Sequence, residues 1–518
     1  MTFPTLETVI GLETHVQLRT KSKMFCRCDN SGEDQEPNTT VCPVCMGHPG
    51  TLPVPNEQAI AWAAKVALAL HCKVSRQSKF DRKSYFYPDL PKGYQISQFD
   101  QPIGKDGYLM VHVGKKPVRV RIERVHLEED SAKLVHAPDG KSTLIDFNRA
   151  GTPLVEIVTK PDIQSPAVAK AFLQGLRLIM RYLGVSDADM EKGHLRCDAN
   201  ISLKPIPEHF GRAKKKFGLE GDVTTLFPKT EVKNLNSFKA VERALEFETK
   251  RQSALWYDGK PPLVAVTRGW DDKKMGTVQH RDKEAAHDYR YFPEPDLTPI
   301  TFTKAQLDGL ERDMPELPYE KRDRFESQFG MRGADAAILV DDLRVAHFFE
   351  EVVSELKAWL VSLEEVEGTE QEIWESHKAK LVNQVVSWIT TKLFTLLNER
   401  RQSIDEAKIT PENFAELMTM MYKRRINASV AQTVLEKMFV SGEDPSDIVE
   451  AGNLGQVSGE KELTEIIDAV INENAGMVDQ FKKGKTPVLQ FLIGQAMKKS
   501  KGKADPKVIR ELLIHRLA

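Results

Sequence analysis

An α+β fold is predicted for this 518-residue chain: a mixed-sheet cradle over residues 1–297, an all-α region over 298–408 and a helical tail over 409–518. Three observations carry the prediction. Apolar and polar residues alternate with the period of a strand in several segments of the first part. The Pro-rich run YFPEPDLTPI, residues 291–300, interrupts that pattern. Beyond it, apolar residues recur at helical spacing.

Composition limits the rest. A hydrophobic content of 41% suffices for two to four folded domains. The 73 Lys and Arg nearly balance the 75 Asp and Glu, for a net charge of −2, so any polyanion-binding surface must be local. The first residues, MTFPTLETVIGLETHVQL, hold no basic and apolar leader, and no apolar run is long enough to cross a bilayer. The expectation is a cytoplasmic protein.

The first strand is read in TVIGLETHVQL. Ile10, Leu12, Thr14, Val16 and Leu18 share one face, and Glu13, His15 and Gln17 the other. Four cysteines follow within twenty residues: Cys26 and Cys28 as C-x-C, Cys42 and Cys45 as C-P-V-C, with Gly32, Pro37 and Asn38 in the loop between them. Six cysteines in a large cytosolic-looking chain do not suggest a disulfide framework. This quartet suits a tetrahedral zinc whose shell is closed to water, hence a structural cross-link rather than a catalyst. Cys72 and Cys197 read as small core residues.

Two further strands carry polar faces. In VRVRIERVHLEED, Val118, Val120 and Ile122 alternate with Arg119, Arg121 and Glu123, and the segment ends in Glu128, Glu129 and Asp130. Neighbours on a strand point to opposite faces, so only one of Glu128 and Glu129 reaches a given ion, and the other pairs with a cation or supports a ligand. In HLRCDANISL, Leu195, Cys197, Ala199, Ile201 and Leu203 alternate with Arg196, Asp198, Asn200 and Ser202. Carboxylates on such faces suit Mg²⁺, which keeps waters and bridges phosphates; His15 is less usual for magnesium, and either supports a ligand or admits Mn²⁺. Beyond the break, Val385, Ile389, Leu393 and Leu396 make one helix stripe. Thr410-Pro411 starts another helix, with Phe414, Leu417, Met418 and Met421 on its buried face.

The ordered blocks GLETHVQL, CPVCMGHPGTLPVPN, FDRKSYFYPDLPKGYQISQFDQPI, HLEEDSAK, DFNRAGTPLVEIV, RCDANISL, TEVKNLNSF, TRGWD and DYRYFPEPDL resemble the GatB family, the B subunits of aspartyl/glutamyl-tRNA amidotransferases. The resemblance extends into a YqeY-like helical tail. It implies partners, an amidase A subunit that releases ammonia from glutamine and a small C subunit. It also implies a reaction: ATP phosphorylates the side-chain carboxylate of mischarged Glu-tRNA(Gln) or Asp-tRNA(Asn), and ammonia displaces the phosphate. Carried over by motif, Glu13, His15, Glu128, Glu129, Asp198 and Glu231 are candidates for the phosphoryl centre. Magnesium would be held among Glu13, His15, Glu128, Asp198 and Glu231. Asp81, Lys83, Tyr85, Tyr87, Lys92, Arg149, Lys233 and Arg290 are candidates for binding ATP and the tRNA end, with tyrosines stacking on bases and cations meeting phosphates.

The chain has no G-x-x-x-x-G-K-[ST] loop, so an ATP site here is not of the P-loop type. An amidase signature is absent as well, which leaves glutamine hydrolysis to another chain. Departures from the family pattern fall at Thr14, Ser131-Ala132, Lys192, His194 and Val266. In residues 477–518, ten Lys and Arg face three acids, and Lys498, Lys499, Lys501 and Lys503 make the tail a candidate for holding the tRNA body. The competing readings are a zinc-pinned tRNA-binding protein without catalysis and a metal-dependent phosphoesterase.

Overall fold

The computed structural model describes residues 5–114, 116–137, 140–279, 289–362, 368–454, 460–500 and 503–517. Two compact units result, Met1–Tyr319 and Glu320–Ala518.

The first unit is built on a nine-stranded sheet. Its strands are β1 (Leu6–Gln17), β2 (Lys73–Val74), β3 (Gly104–Val113), β4 (Lys116–Glu129), β5 (Pro153–Thr159), β6 (Leu195–Pro205), β7 (Thr230–Leu235), β8 (Val266–Asp271) and β9 (Gly276–Gln279). They lie in the order β9-β8-β7-β6-β1-β5-β4-β3-β2, so the first strand of the chain is central. Among the described residues, only β7 and β8 run parallel, which makes the sheet mixed.

Period two does the sorting. Leu12, Thr14 and Val16 of β1 are buried, while Glu13, His15 and Gln17 are half-buried on the other face. The apolar face is covered by α1 (Glu57–Ala69), α2 (Pro166–Tyr182) and α4 (Phe238–Tyr257), with α3 (Pro207–Phe217) lying between α2 and α4 in the chain. Helix α2 starts at Ser165, whose hydroxyl accepts from Val168 N, with proline in its first turn; Phe172, Leu173, Leu176, Ile179 and Met180 form its buried stripe. Each such side chain contributes about 1.5–3 kcal/mol through burial. On the polar side, a three-stranded sheet of Asp81–Ser84, Tyr94–Ser97 and Phe292–Pro293 is placed by contacts of Tyr94–Ser97 with β4.

The proline run does not end this unit. Phe292–Pro293 pairs with Asp81–Ser84, Ile300–Thr301 pairs with Gln77–Ser78, and helix α5 (Lys304–Arg312) packs on α1. The unit therefore reaches Tyr319 rather than residue 297. Proline blocks ladder hydrogen bonds but is tolerated on short edge strands, which is where the chain uses it.

The second unit is helical. One apolar core collects Phe325, Phe349, Leu381, Val385, Phe414, Leu417, Met438 and Ile448, so it passes across residue 408 without a break. Val385, Ile389 and Leu393 are buried as expected, but a five-residue π turn at Ile389–Leu393 shifts the stripe, and Leu397 is buried where Leu396 was expected. Thr410 caps Pro411–Tyr422 by accepting from Asn413 N. A smaller core of Leu463, Ile467, Val470, Leu492, Ile509 and Leu513 organises the end of the chain. Among the described residues, no helix is long and apolar enough to cross a membrane.

Candidate active site and metal centres

Register sets the centre of the sheet. His15 on β1 lies opposite Arg196 on β6 and Glu156 on β5, and Glu156 lies opposite His126 on β4. This cross-strand row places His15 Nε2 3.4 Å from Glu156 Oε2, and His126 Nε2 2.9 Å from the same oxygen. Glu128 joins from β4, 3.6 Å from His15 Nε2 and 3.5 Å from His126 Nε2, and accepts from Ser97 Oγ at 2.9 Å.

Both carboxylates are buried, yet their neighbours favour the ionised forms. Burial pushes the Glu156 carboxyl up, but His126 and His15 beside it outweigh this and hold it well below the usual range. Burial of Glu128 is likewise outweighed, first by the hydrogen bond from His126. The imidazoles respond in the opposite sense. Burial disfavours their charged forms, but Glu156 and Glu128 raise His15 and bring His126 up to about 9.

Two cavities flank this group. One, of about 390 Å³, is lined by His15, Glu128, Arg196, Asp198, Lys233, Tyr85 and Lys83. The other, of about 600 Å³, is lined by Glu13, His126, Glu156, Phe99, Tyr289, Tyr291 and again Lys83. Lys83 thus borders both. Burial alone would lower its ammonium, but Glu128 leads the groups that raise it. Its Nζ stands 4.9 Å from the Tyr289 ring centroid and 5.9 Å from that of Tyr85. In the larger cavity, Phe99 and Tyr291 stack with centroids 4.2 Å apart.

Of the expected magnesium set, among the described residues, only His15 and Glu128 belong to a cluster whose ligand atoms lie within 4.8 Å of one another. Glu13 lies opposite Asp198 one side-chain repeat along the strand, accepts from Asn200 Nδ2 at 2.9 Å and stands 3.7 Å from Lys229 Nζ. Asp198 and Glu231 share Lys233, and Glu231 also accepts from Thr267 Oγ1 at 2.9 Å. These carboxylates are already matched by cations. Glu156 takes the expected place, and with His15 and Glu128 offers three ligand atoms within 4.8 Å of one another.

Glu129 turns away from the centre, as strand alternation demands. It is buried against Lys92 at 2.5 Å and accepts from Ile96 N at 3.0 Å, so Lys92 also lines neither of the two cavities beside His15. Both line a third cavity beside the cysteine loop. Asp81 is buried, paired with Lys79 and accepting from Phe99 N at 2.9 Å. Arg149 donates to the carbonyls of Ser131 and Ala132 and stands 3.6 Å from Asp130, so it braces a turn. Tyr87 is exposed and lines neither of these two cavities; Arg290 is exposed at φ 45°. Lys498 is exposed, Lys499 pairs with Glu473 at 2.6 Å, Lys503 is half-buried, and Lys501 lies outside the described residues.

The cysteine loop closes as expected. All four sulfurs lie within 4.8 Å of one another, with Cys42 and Cys45 3.8 Å apart and Cys28 and Cys45 4.0 Å apart. Zn–S bonds of about 2.3 Å in a tetrahedron require sulfurs about 3.8 Å apart, a spacing that the two pairs approach, so the quartet is consistent with zinc.

A model of the GatB/GatE catalytic domain matches residues 8–308, and a model of the GatB domain matches residues 348–517. A protein of Thermodesulfovibrio yellowstonii is 43% identical to this chain over 507 residues, covering 98% of each. One from Thermotoga maritima is 43% identical over 512 residues, again 98% of each. Both are named as the B subunit of an aspartyl/glutamyl-tRNA(Asn/Gln) amidotransferase. The chain belongs to the GatB family.

For this GatB chain, Thr14, Ala132, Lys192, His194 and Val266 line neither cavity, whereas Ser131 lines the smaller one with His15 and Glu128. Thr14 is packed in the apolar face opposite Cys197. Lys192 is exposed, His194 pairs with Glu33 at 2.8 Å, and Val266 opens β8 opposite Thr230. Sequence reasoning missed Glu156 and His126. The signal for Glu156 was a lone carboxylate in PLVEIVT, a strand buried along its whole length. The signal for His126 was its place two residues before Glu128, on the same strand face.

Proposed function

We propose that the chain works as the B subunit of an aspartyl/glutamyl-tRNA(Asn/Gln) amidotransferase and activates the side-chain carboxylate of mischarged Glu-tRNA(Gln) or Asp-tRNA(Asn) with ATP. One observation carries the reading: two cavities meet at Lys83 on either side of the buried His15–Glu128–Glu156 group. A reaction joining a nucleotide to a tethered carboxylate needs two adjoining pockets and a shared charged wall. Two buried carboxylates and an imidazole fit a hard divalent cation that retains open positions. Magnesium held there would neutralise phosphate charge.

The chemistry asks for alignment and charge compensation more than covalent participation. A carboxylate oxygen of the aminoacyl group attacks the γ-phosphorus, the bond to the bridging oxygen breaks, and ADP leaves. Ammonia then attacks the acyl carbon and phosphate departs, giving the amide. Lys83 and Arg196, which line the smaller cavity, would offset negative charge on the phosphoryl oxygens, while Lys233 is already shared by Asp198 and Glu231. Phe99, Tyr289 and Tyr291 supply ring faces in the larger one. Ammonia comes from an amidase A subunit, with a small C subunit as third partner. Zinc at the four cysteines holds the loop, and the tail holds the tRNA body. A tRNA-binding platform without catalysis is not favoured, because recognition has no need of two buried carboxylates. The test is transamidation by the chain assembled with its A and C partners, with ATP, glutamine and each mischarged tRNA. Formation of Gln-tRNA or Asn-tRNA supports the reading; tRNA binding without ATP turnover refutes it.

A further inference from the structure

Lys23 is a lysine that the fold encloses completely, with none of its surface exposed. Its position is fixed by the backbone: Lys23 N donates to Cys28 O at 3.0 Å, and Lys23 O accepts from Asn56 Nδ2 at 3.3 Å. Its ammonium donates to Phe147 O at 3.3 Å and faces Cys45 Sγ at 3.9 Å. Among the described residues, no carboxylate forms an ion pair with it. Buried ammonium groups are costly and are found paired with an anion. A carbonyl alone supplies no negative charge. The anion must come from the cysteine quartet, whose four sulfurs crowd within 4.8 Å.

Four thiolates around one divalent zinc leave two formal negative charges in a site that is itself half-buried. Groups beyond the ligands set the strength of such sites. Backbone donors such as Cys42 N, 3.1 Å from Cys45 Sγ, orient the sulfurs but carry no full charge.

We propose that Lys23 is the buried counter-ion of the metal tetrathiolate formed by Cys26, Cys28, Cys42 and Cys45, holding the zinc and quieting the Cys45 sulfur. The inference rests on the zinc reading of the quartet. It assigns a function to a side chain that touches neither phosphoryl cavity. Losing the charge should speed zinc release and expose Cys45 to alkylation, while leaving the loop's backbone contacts intact.

The test uses the full chain loaded with Zn²⁺ and a chromogenic chelator that reports zinc loss. Lys23→Met removes charge and donor, Lys23→Gln keeps a donor for Phe147 O, and Lys23→Arg keeps the charge. Zinc release should be roughly 10–100-fold faster in Lys23→Met and Lys23→Gln alike, with Lys23→Arg nearer the wild-type rate. Cobalt substitution gives a second readout, since the sulfur-to-metal absorption should shift in the same two variants. If Lys23→Met does not fold, Lys23→Gln carries the comparison. Wild-type release from Lys23→Gln would overturn the proposal, leaving Lys23 as an anchor for Phe147 O. A wild-type chain that takes up no zinc would overturn the zinc reading and this inference together.

Discussion

Glu128 and Glu129 show how far one residue of strand phase decides a role. Glu128 faces His15 and His126, whereas Glu129 is sealed against Lys92. The same phase separates His15 from Glu13 only by distance along a shared face, and there the neighbours decide: Glu13 is met by Asn200 and Lys229, His15 by two carboxylates. The expected outcome is measurable without tRNA. By electron paramagnetic resonance titration with Mn²⁺, Glu128→Gln and Glu156→Gln should each weaken binding by about 100-fold or more, and Glu13→Gln by far less. The double variant should lose little beyond either single one, because the first change already disables the site. Equal losses in Glu13→Gln and Glu156→Gln would return Glu13 to the ligand set. His15 and Glu128 were legible in the sequence because each stands on an alternating strand. Glu156 was not, since β5 is buried on both faces and its pattern has no polar side to betray a ligand.

At the scale of elements, helix α4 is fastened to the sheet by one buried carboxylate. Glu248 accepts from Arg251 at 2.8 Å and Gln252 at 3.1 Å, takes a hydrogen bond from Thr277 Oγ1 on β9, and stands 3.3 Å from Arg268 Nε on β8. Burial raises its carboxyl, but Arg251 and Thr277 outweigh this and the net shift is downward from 4.5. A carboxylate with a depressed folded pKa contributes stability above its unfolded pKa and loses it as pH falls through the folded value. Glu248→Gln should therefore lower stability at pH 7 by about 2–3 kcal/mol. The gap between variant and wild type in denaturant melts should narrow below about pH 4.5. A gap constant from pH 7 to pH 3 would remove the charge from the explanation. The polar faces of β1 and β6 and the cap at Thr410 were readable from short patterns. Domain limits were less so: proline marks where a ladder is interrupted, not where packing ends, and the strands at Phe292–Pro293 and Ile300–Thr301 rejoin the first unit. The π turn at Ile389–Leu393 was likewise hidden, because one inserted residue leaves the composition of a stripe unchanged.

For the whole molecule, the near-neutral charge confines polyanion binding to particular surfaces. The tail cannot be tested by cutting it off, because Leu492, Ile509 and Leu513 complete a core with Leu463, Ile467 and Val470. Charge removal is the cleaner change. Replacing Lys498, Lys499 and Lys503 by Gln should weaken tRNA binding and reduce its logarithmic salt slope by up to about one for each phosphate no longer neutralised. Lys499 should count for least, since Glu473 already engages it. An unchanged slope in filter-binding titrations would make the tail an ordinary solvated surface. The central claim is that the His15–Glu128–Glu156 group activates the carboxylate while glutamine hydrolysis belongs to another chain. It is tested most directly by assembling Glu156→Gln with the A and C partners and measuring ATP-dependent formation of Gln-tRNA beside glutamate release from glutamine. Amidation should fall by roughly 10²-fold or more while basal glutamine hydrolysis survives. Near-wild-type amidation by Glu156→Gln would contradict it.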